Sequence, residues 1–586
     1  MATRNEIDSK FKWHLEDLFQ TNDIWQKSYD ELISQIPSIS SFQNKLADLD
    51  MLKKCLENIH GIYEKFGRIY VYAHMRLHED TANTFYQAMA DKADMLQVQI
   101  ASAASFIEPE ILNLDQDKLD LFVQNNNLYA HFIENLLRIK QHILSPEIEK
   151  ILADVSQITN APDNIYSMLS NADMTFGKIK NDDGSEIELT HSNFISFMES
   201  PDRQLREKVF NLYYDAYIAQ KNTIAATYSA AVKNDVFFSR TRNFKSSLSQ
   251  ALFSHNIPES VYSNLIDTVN DYLPVLHKYI GIRKKALALS ELNIYDMYVP
   301  IVPQVDTKVD FEEAKKIVKK ALEPMGQDYV KVLDEAFNNG WIDVYENKGK
   351  RSGAYSWGAY GCHPFVLLNF DGKVDDMFTL AHEMGHAMHS FYSWGKQPYL
   401  YADYTIFLAE IASTVNETLL MQYLLKESND KKFKAYLVNY FLEQFRRTLY
   451  RQTMFAEFEM QTHEFAQNNI PLTVDLLNET YRNLNLKYHG KDVKLDSKSD
   501  MEWSRIPHFY NAFYVYQYAT GYSAAIALSQ KILAGQNDYR KFLESGSSEY
   551  SIDILKKAGV DMTNPTPIKN ALEYFKNLVE QMENLI

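Results

Sequence analysis

Along most of the chain apolar residues recur three and four positions apart, the spacing that lines one face of an α-helix. The stretches Leu119 to Leu144 and Asp202 to Phe238 keep this period with few glycines or prolines, and each predicts helix. Aromatic residues fall on the same stripes, as in Phe210–Asn211–Leu212–Tyr213–Tyr214, which marks them as core. Two regions switch to the two-residue period of strands. Met174–Ile179 and Ile187–Leu189 flank Asn181–Asp182–Asp183–Gly184 and predict a hairpin with an Asp-Gly turn. Trp341–Tyr345 alternates, a polar turn follows at Glu346–Gly353, and Pro364–Phe370 reads as a half-buried strand. Gly353, Gly358 and Gly361 between them let backbone approach closely. The expected fold is mainly α, with a soft boundary near residue 190: a helical N-terminal cap over 1–190, with its hairpin near 174–189, and a larger domain over 191–586 that carries the chemistry.

Composition narrows the classes. At 586 residues with 46% apolar and 23% charged positions, the chain is long enough to bury a large core. A formal net charge of −17 and only short, scattered runs of Lys and Arg argue against nucleic-acid binding. The two cysteines, Cys55 and Cys362, and a polar N-terminus without an apolar signal core point to a reducing compartment, the cytoplasm. No uninterrupted apolar run reaches spanning length, so no membrane span is expected. Nothing in the sequence sets an oligomeric state.

The chemistry concentrates in His382–Glu383–Met384–Gly385–His386. Two histidines at i and i+4 stand one above the other on a helix face and can converge on one ion. The glutamate after the first histidine points beside that face, where it can activate water without taking a coordination position. Leu380, Met384, Ala387 or Met388, and Phe391 form an apolar stripe on another face, and Asp375 or Asp376 can cap the helix. A third ligand is needed, and Glu410 supplies it from a second helix over about Tyr404–Leu425. It lies 24 positions after His386 (410 − 386), room for a turn at Trp394–Pro398 and a return. Apolar neighbours make an uncompensated carboxylate there costly. Glu417, two turns on, is placed to orient a ligand histidine. His389 reads as packing. The ligand types favour one zinc ion per chain.

These residues resemble the thimet oligopeptidase family. The carriers are Asp376 through Ser390 and Glu410–Ile411–Ala412–Ser413–Thr414, and the match is stronger to the family's bacterial branch, oligoendopeptidase F. Trp13–His14–Leu15–Glu16–Asp17–Leu18–Phe19, Gly353–Ala354–Tyr355 and Pro364–Phe370 agree. The resemblance implies a large helical zincin-type shell around a deep groove, a small antiparallel β element beside the zinc helix, and endopeptidase action on short, unstructured peptides. It further implies substrate contacts and oxyanion stabilisation from a C-terminal stretch, for which His508, Tyr514 and Tyr518 are the candidates among Tyr510, Tyr514, Tyr516, Tyr518 and Tyr522. Gly353, Ala354, Tyr355, Phe365 and Leu367 are the expected substrate-binding residues, with the Phe365–Phe370 strand offering an edge to an extended peptide.

Two other readings compete. A dipeptide-releasing zinc carboxypeptidase would need a cationic anchor, and Arg446, Arg447, Arg451 and Arg505 are available by type. A non-catalytic helical peptide-binding protein with a relic zinc site is disfavoured by Glu383, which no structural role requires.

Overall fold

The computed structural model describes residues 2–180, 184–303, 308–536 and 538–586. Helices dominate it, as the sequence period requires, and among the described residues no helix is long and apolar enough to cross a membrane. The expected helix over 119–144 is broken at Asn125–Asn126–Asn127 into Gln116–Asn125, a short turn, and Ala130–Lys140. The Asn126 amide donates to the Phe122 carbonyl at 3.0 Å, the local competition with helix that asparagine offers. The expected helix from Asp202 likewise divides at Gln220, into Arg203–Ala219 and Lys221–Thr241.

Among the described residues seven short strands form three small sheets. In chain order they are β1 (Lys178–Lys180), β2 (Glu186–Glu188), β3 (Leu292–Asn293), β4 (Ile342–Asp343), β5 (Tyr355–Trp357), β6 (Phe365–Leu367) and β7 (Val493–Lys494). β1 and β2 pair antiparallel with Ile179 opposite Ile187, the expected hairpin; Asn181–Asp182–Asp183 of its turn lie outside the described residues. β3 and β7 pair in parallel. The third sheet has the order β4-β6-β5, with β4 parallel and β5 antiparallel to β6. The antiparallel element expected here is thus one half of a mixed sheet.

That order corrects one expectation. β6 is the central strand, hydrogen-bonded on both sides, so it has no free edge to offer a peptide. Phe365, Val366 and Leu367 are each 0% exposed, the continuous apolar run of a strand covered on both faces rather than the alternation of a half-buried edge. Phe365 and Leu367 belong to the core with Trp13, whose ring meets Phe365 edge-on at 6.4 Å. Both side chains face that core, so β6 offers a peptide neither a free edge nor an exposed side chain.

The chain forms two compact units, each built from three stretches. The first comprises Met1–Gln141, Thr307–Leu424 and Leu528–Gly559; the second comprises His142–Asp306, Leu425–Ala527 and Val560–Ile586. The boundary expected near residue 190 falls inside the second unit. In the first unit the N-terminal segment is knitted to the sheet: His14 N–H donates to Gly340 at 2.7 Å and Val344 N–H to Phe11 at 2.9 Å. In the second, the Lys221–Thr241 helix packs on Arg451–Gln467, with the hydroxyls of Tyr228 and Thr462 bonded at 2.8 Å.

Candidate metal centre

The central motif lies in a helix over Val374–Lys396, the site helix, and the return helix spans Ile406–Glu427. Asp376 holds the start of the site helix by accepting from the backbone of Lys373 at 2.9 Å and Asp371 at 3.0 Å, the favoured place for a carboxylate. Leu380, Met384, Ala387 and Met388 are fully buried on its core side. The return helix is apolar nearly all round and is correspondingly buried through Phe407, Leu408, Ile411, Val415, Leu419 and Leu420.

Two residues set how closely these helices cross. A Cβ on Gly385 would stand 2.5 Å from Ser413 Cα and 2.7 Å from the Ala412 carbonyl, so only glycine fits there. Asn416 then ties the pair: its amide donates to the Ala381 carbonyl at 3.0 Å while its oxygen accepts from Tyr329 at 2.9 Å. The crossing brings Glu410 over the two histidines.

His382, His386 and Glu410 form a cluster whose donor atoms lie within 4.8 Å of one another. Glu410 Oε2 is 3.5 Å from His382 Nε2 and 3.8 Å from His386 Nε2. Ligands on a tetrahedral ion with bonds near 2.0–2.1 Å stand roughly 3.4 Å apart, so this spacing suits one small cation. The far ring nitrogen of His382 is occupied as a metal ligand requires, Nδ1 facing Glu417 Oε1 at 2.5 Å, and the Ala409 backbone lies beside the His386 ring. The donor set, two imidazoles and a carboxylate with an outer carboxylate behind one ring, fits zinc.

Glu383 is 7% exposed beside this cluster. Burial, reinforced by the charges of Glu410 and Glu417, pushes its carboxyl up to about 7, while His382 and the backbone N–H of Ser356 pull the other way. Burial resists a charge on His382, but Glu417, Glu383 and Glu410 together raise it to about 9. Burial and the neighbouring His382 push His386 down to about 3. Three carboxylates around two imidazoles thus favour an added positive charge.

The donor at Ser356 follows from the sheet. Val366 and Leu368 donate to the β4 side, so Phe365 and Leu367 bond β5, and Ser356 between their partners turns its N–H and C=O to the open edge. β5 is therefore the strand with a free edge at the site helix. Gly353 ahead of it has φ +83°, with its carbonyl held by Asn369 at 2.7 Å. Ala354 is half-buried, and Tyr355 turns its hydroxyl to His78 Nδ1 at 2.6 Å. His389 is fully buried and stacked on Tyr404 at 3.6 Å, a packing residue as expected.

The other candidates lie in the second unit. His508, Tyr514 and Tyr518 do form a cluster: the rings of His508 and Tyr514 stack at 6.0 Å, Tyr514 meets Tyr518 edge-on at 5.4 Å, and Tyr518 Oη is 3.4 Å from His508 Nε2. Tyr510 instead bonds Thr227 at 2.8 Å and stacks on Tyr166. Tyr516 is 2% exposed and Tyr522 is 6% exposed, both in core positions. Arg446, Arg447, Arg451 and Arg505 are all engaged by carboxylates: Arg446 by Glu443 at 2.7 Å, Arg447 by Glu199 at 3.4 Å, Arg451 by Glu502, and Arg505 by Glu502 at 3.3 Å.

Sequence reasoning missed Asn416, Ser356 and the reason for Gly385. Asn416 left a signal, an amide one position before Glu417 and flanked by the buried Val415 and Leu419. Ser356 acts through its backbone and left none.

Paired histidines that meet a carboxylate returned by the next helix, with a second carboxylate beside them, form a cluster that could hold a metal ion next to an acid–base group. The profile of Peptidase family M3 matches residues 196–574 and that of Oligopeptidase F matches residues 110–176; the chain belongs to peptidase family M3. It is 47% identical to the oligopeptidase PepF of Bacillus subtilis, over all of this chain and 89% of that one. It is 40% identical to the group B oligopeptidase PepB of Streptococcus agalactiae, over all of this chain and 98% of the other. The crystal structure of oligoendopeptidase-F from Enterococcus faecium matches with TM-score 0.75 and 35% identity over 96% of this chain and 99% of that one. The resemblance read from the zinc-helix motif is borne out along the whole chain.

Proposed function

We propose that this protein is a zinc-dependent endopeptidase that hydrolyses internal bonds of short, unstructured oligopeptides in the cytoplasm. The observation that carries the reading is the convergence of His382, His386 and Glu410 at the spacing of a single ion, with Glu383 buried beside them. The names of the relatives, oligopeptidases and an oligoendopeptidase, support the substrate class. Two free thiols agree with a reducing compartment.

Zinc, when bound, polarises the scissile carbonyl and acidifies water. Glu383 takes the proton from the attacking water on its carboxylate and delivers it to the nitrogen of the leaving amine, so no net proton is lost. A carboxyl poised near neutrality suits both transfers. Ser356 N–H, on the open edge of β5, faces that carboxylate, and Glu417 holds the His382 ring. The open edge of β5 is the surface on which an extended peptide would pair. For His508, Tyr514 and Tyr518 we propose the roles the resemblance implies, substrate binding and donation to the oxyanion.

The dipeptide-releasing alternative is weakened because each candidate arginine already has a carboxylate partner. Incubating one long peptide with the enzyme and identifying fragments by mass spectrometry decides: internal cuts support the proposal, and successive C-terminal dipeptides overturn it.

A further inference from the structure

We infer that Glu459 is a positioning residue that holds the His508–Tyr514–Tyr518 cluster in its working arrangement. The inference rests on the role proposed above for that cluster. Glu459, in the Arg451–Gln467 helix, is 0% exposed. No Lys, Arg or His is paired with its carboxyl group among the described residues, an arrangement that is costly for a carboxylate unless it stays neutral. Burial, with a minor contribution from Asp235, drives its carboxyl well above the ordinary range, which favours the neutral form. Its Oε1 accepts from the backbone N–H of Phe513 at 3.0 Å, and its Oε2 is buried without a hydrogen-bond partner.

Phe513 has φ +56°, the left-handed region that a residue with a bulky side chain enters only when its surroundings impose it. Its ring, 3% exposed, is clamped by His463 at 4.5 Å and Tyr262 at 5.8 Å. The bond from Glu459 and this clamp together hold the kink. The kink lies between His508 and the Tyr516–Leu533 helix, and it sets the direction in which the chain leaves toward Tyr514. Without the acceptor at position 459 the Phe513 amide would be a buried orphan, and the left-handed turn would lose the bond that fixes it. A carboxylic acid rather than an amide is not demanded, because the role uses one acceptor oxygen in a neutral group.

The test compares Glu459→Gln, Glu459→Met and Glu459→Asp in the full-length, metal-loaded enzyme, with Tyr514→Phe, Tyr518→Phe and His508→Gln alongside. Glutamine keeps a neutral acceptor and is expected to retain kcat within about threefold, whereas methionine, of similar length but without an acceptor, is expected to lower kcat at least tenfold with KM changed less than about threefold. Aspartate, one methylene shorter, is expected to lower kcat as methionine does, and it carries the test if the methionine variant does not fold. An unchanged kcat in the folded methionine or aspartate variant, or a loss in the glutamine variant as large as theirs, overturns the positioning role. If none of Tyr514→Phe, Tyr518→Phe and His508→Gln affects turnover, it is the assignment of the cluster that fails.

Discussion

In the proposed reaction Glu383 is the residue on which turnover depends and metal binding does not. Glu383→Gln is expected to keep its metal in elemental analysis while losing cleavage of a quenched fluorescent peptide by at least about a thousandfold, and full activity would remove it as the base. Glu417→Gln tests a different atom: the carboxylate behind His382 is expected to contribute roughly 10–100-fold in metal affinity, read by competition with a chelating dye. The His-Glu-x-x-His motif was legible because an i, i+4 pair is a local geometric statement that needs no knowledge of the rest of the fold. Glu410 was legible from its place in the helix that returns past the histidines; its side chain is 44% exposed, so burial cost is not what holds it there. Ser356 was not, since it serves through a backbone N–H whose direction is decided by strand pairing.

Between elements, the controlling feature is the crossing of the site and return helices. Gly385→Ala forces a methyl against Ser413 backbone, so the helices must part. The expected cost is about 1–3 kcal/mol of stability, measured by denaturant unfolding, together with weaker metal binding, because Glu410 is carried away from the histidines. A variant that binds metal and unfolds like the parent would show that the crossing does not set the site. The return helix, expected over about Tyr404–Leu425, spans Ile406–Glu427, whereas the site helix runs through Trp394–Gly395, where the break was expected, and ends at Lys396. The order of the strands was not legible: Pro364–Phe370 looked like a half-buried edge strand because pairing partners are not encoded in the strand itself. Phe365–Val366–Leu367, three apolar residues in succession, was the sign of a central strand. Glu459 was equally hidden, since its partner Phe513 is 54 positions away.

At the scale of the molecule, the proposed metal and protons would compete for the same negative site. In the metal-free protein Glu383 and His382 titrate near 7 and 9, above their ordinary values, so the folded state holds protons there that the unfolded chain releases earlier. The stability those protons supply is complete below the unfolded pKa of each group and is lost as pH rises through the folded value. Between about pH 6.5 and 9 the melting temperature of the chelated protein is therefore expected to fall by several degrees relative to the zinc-loaded protein. Parallel curves for the two forms would contradict this electrostatic account. The domain organisation was the least legible part. A chain reading sees a helical start and a catalytic remainder, whereas contacts such as Trp13 on Phe365 and His14 on Gly340 put residue 13 and residue 365 in one compact unit.

Anomalous diffraction from crystals grown with zinc tests the central claim most directly. The account predicts one strong peak at the zinc edge, with His382 Nε2, His386 Nε2 and a Glu410 oxygen each about 2.0–2.2 Å away and Glu383 outside the coordination sphere. Absence of a peak between these residues, or a metal bound without Glu410, would contradict it.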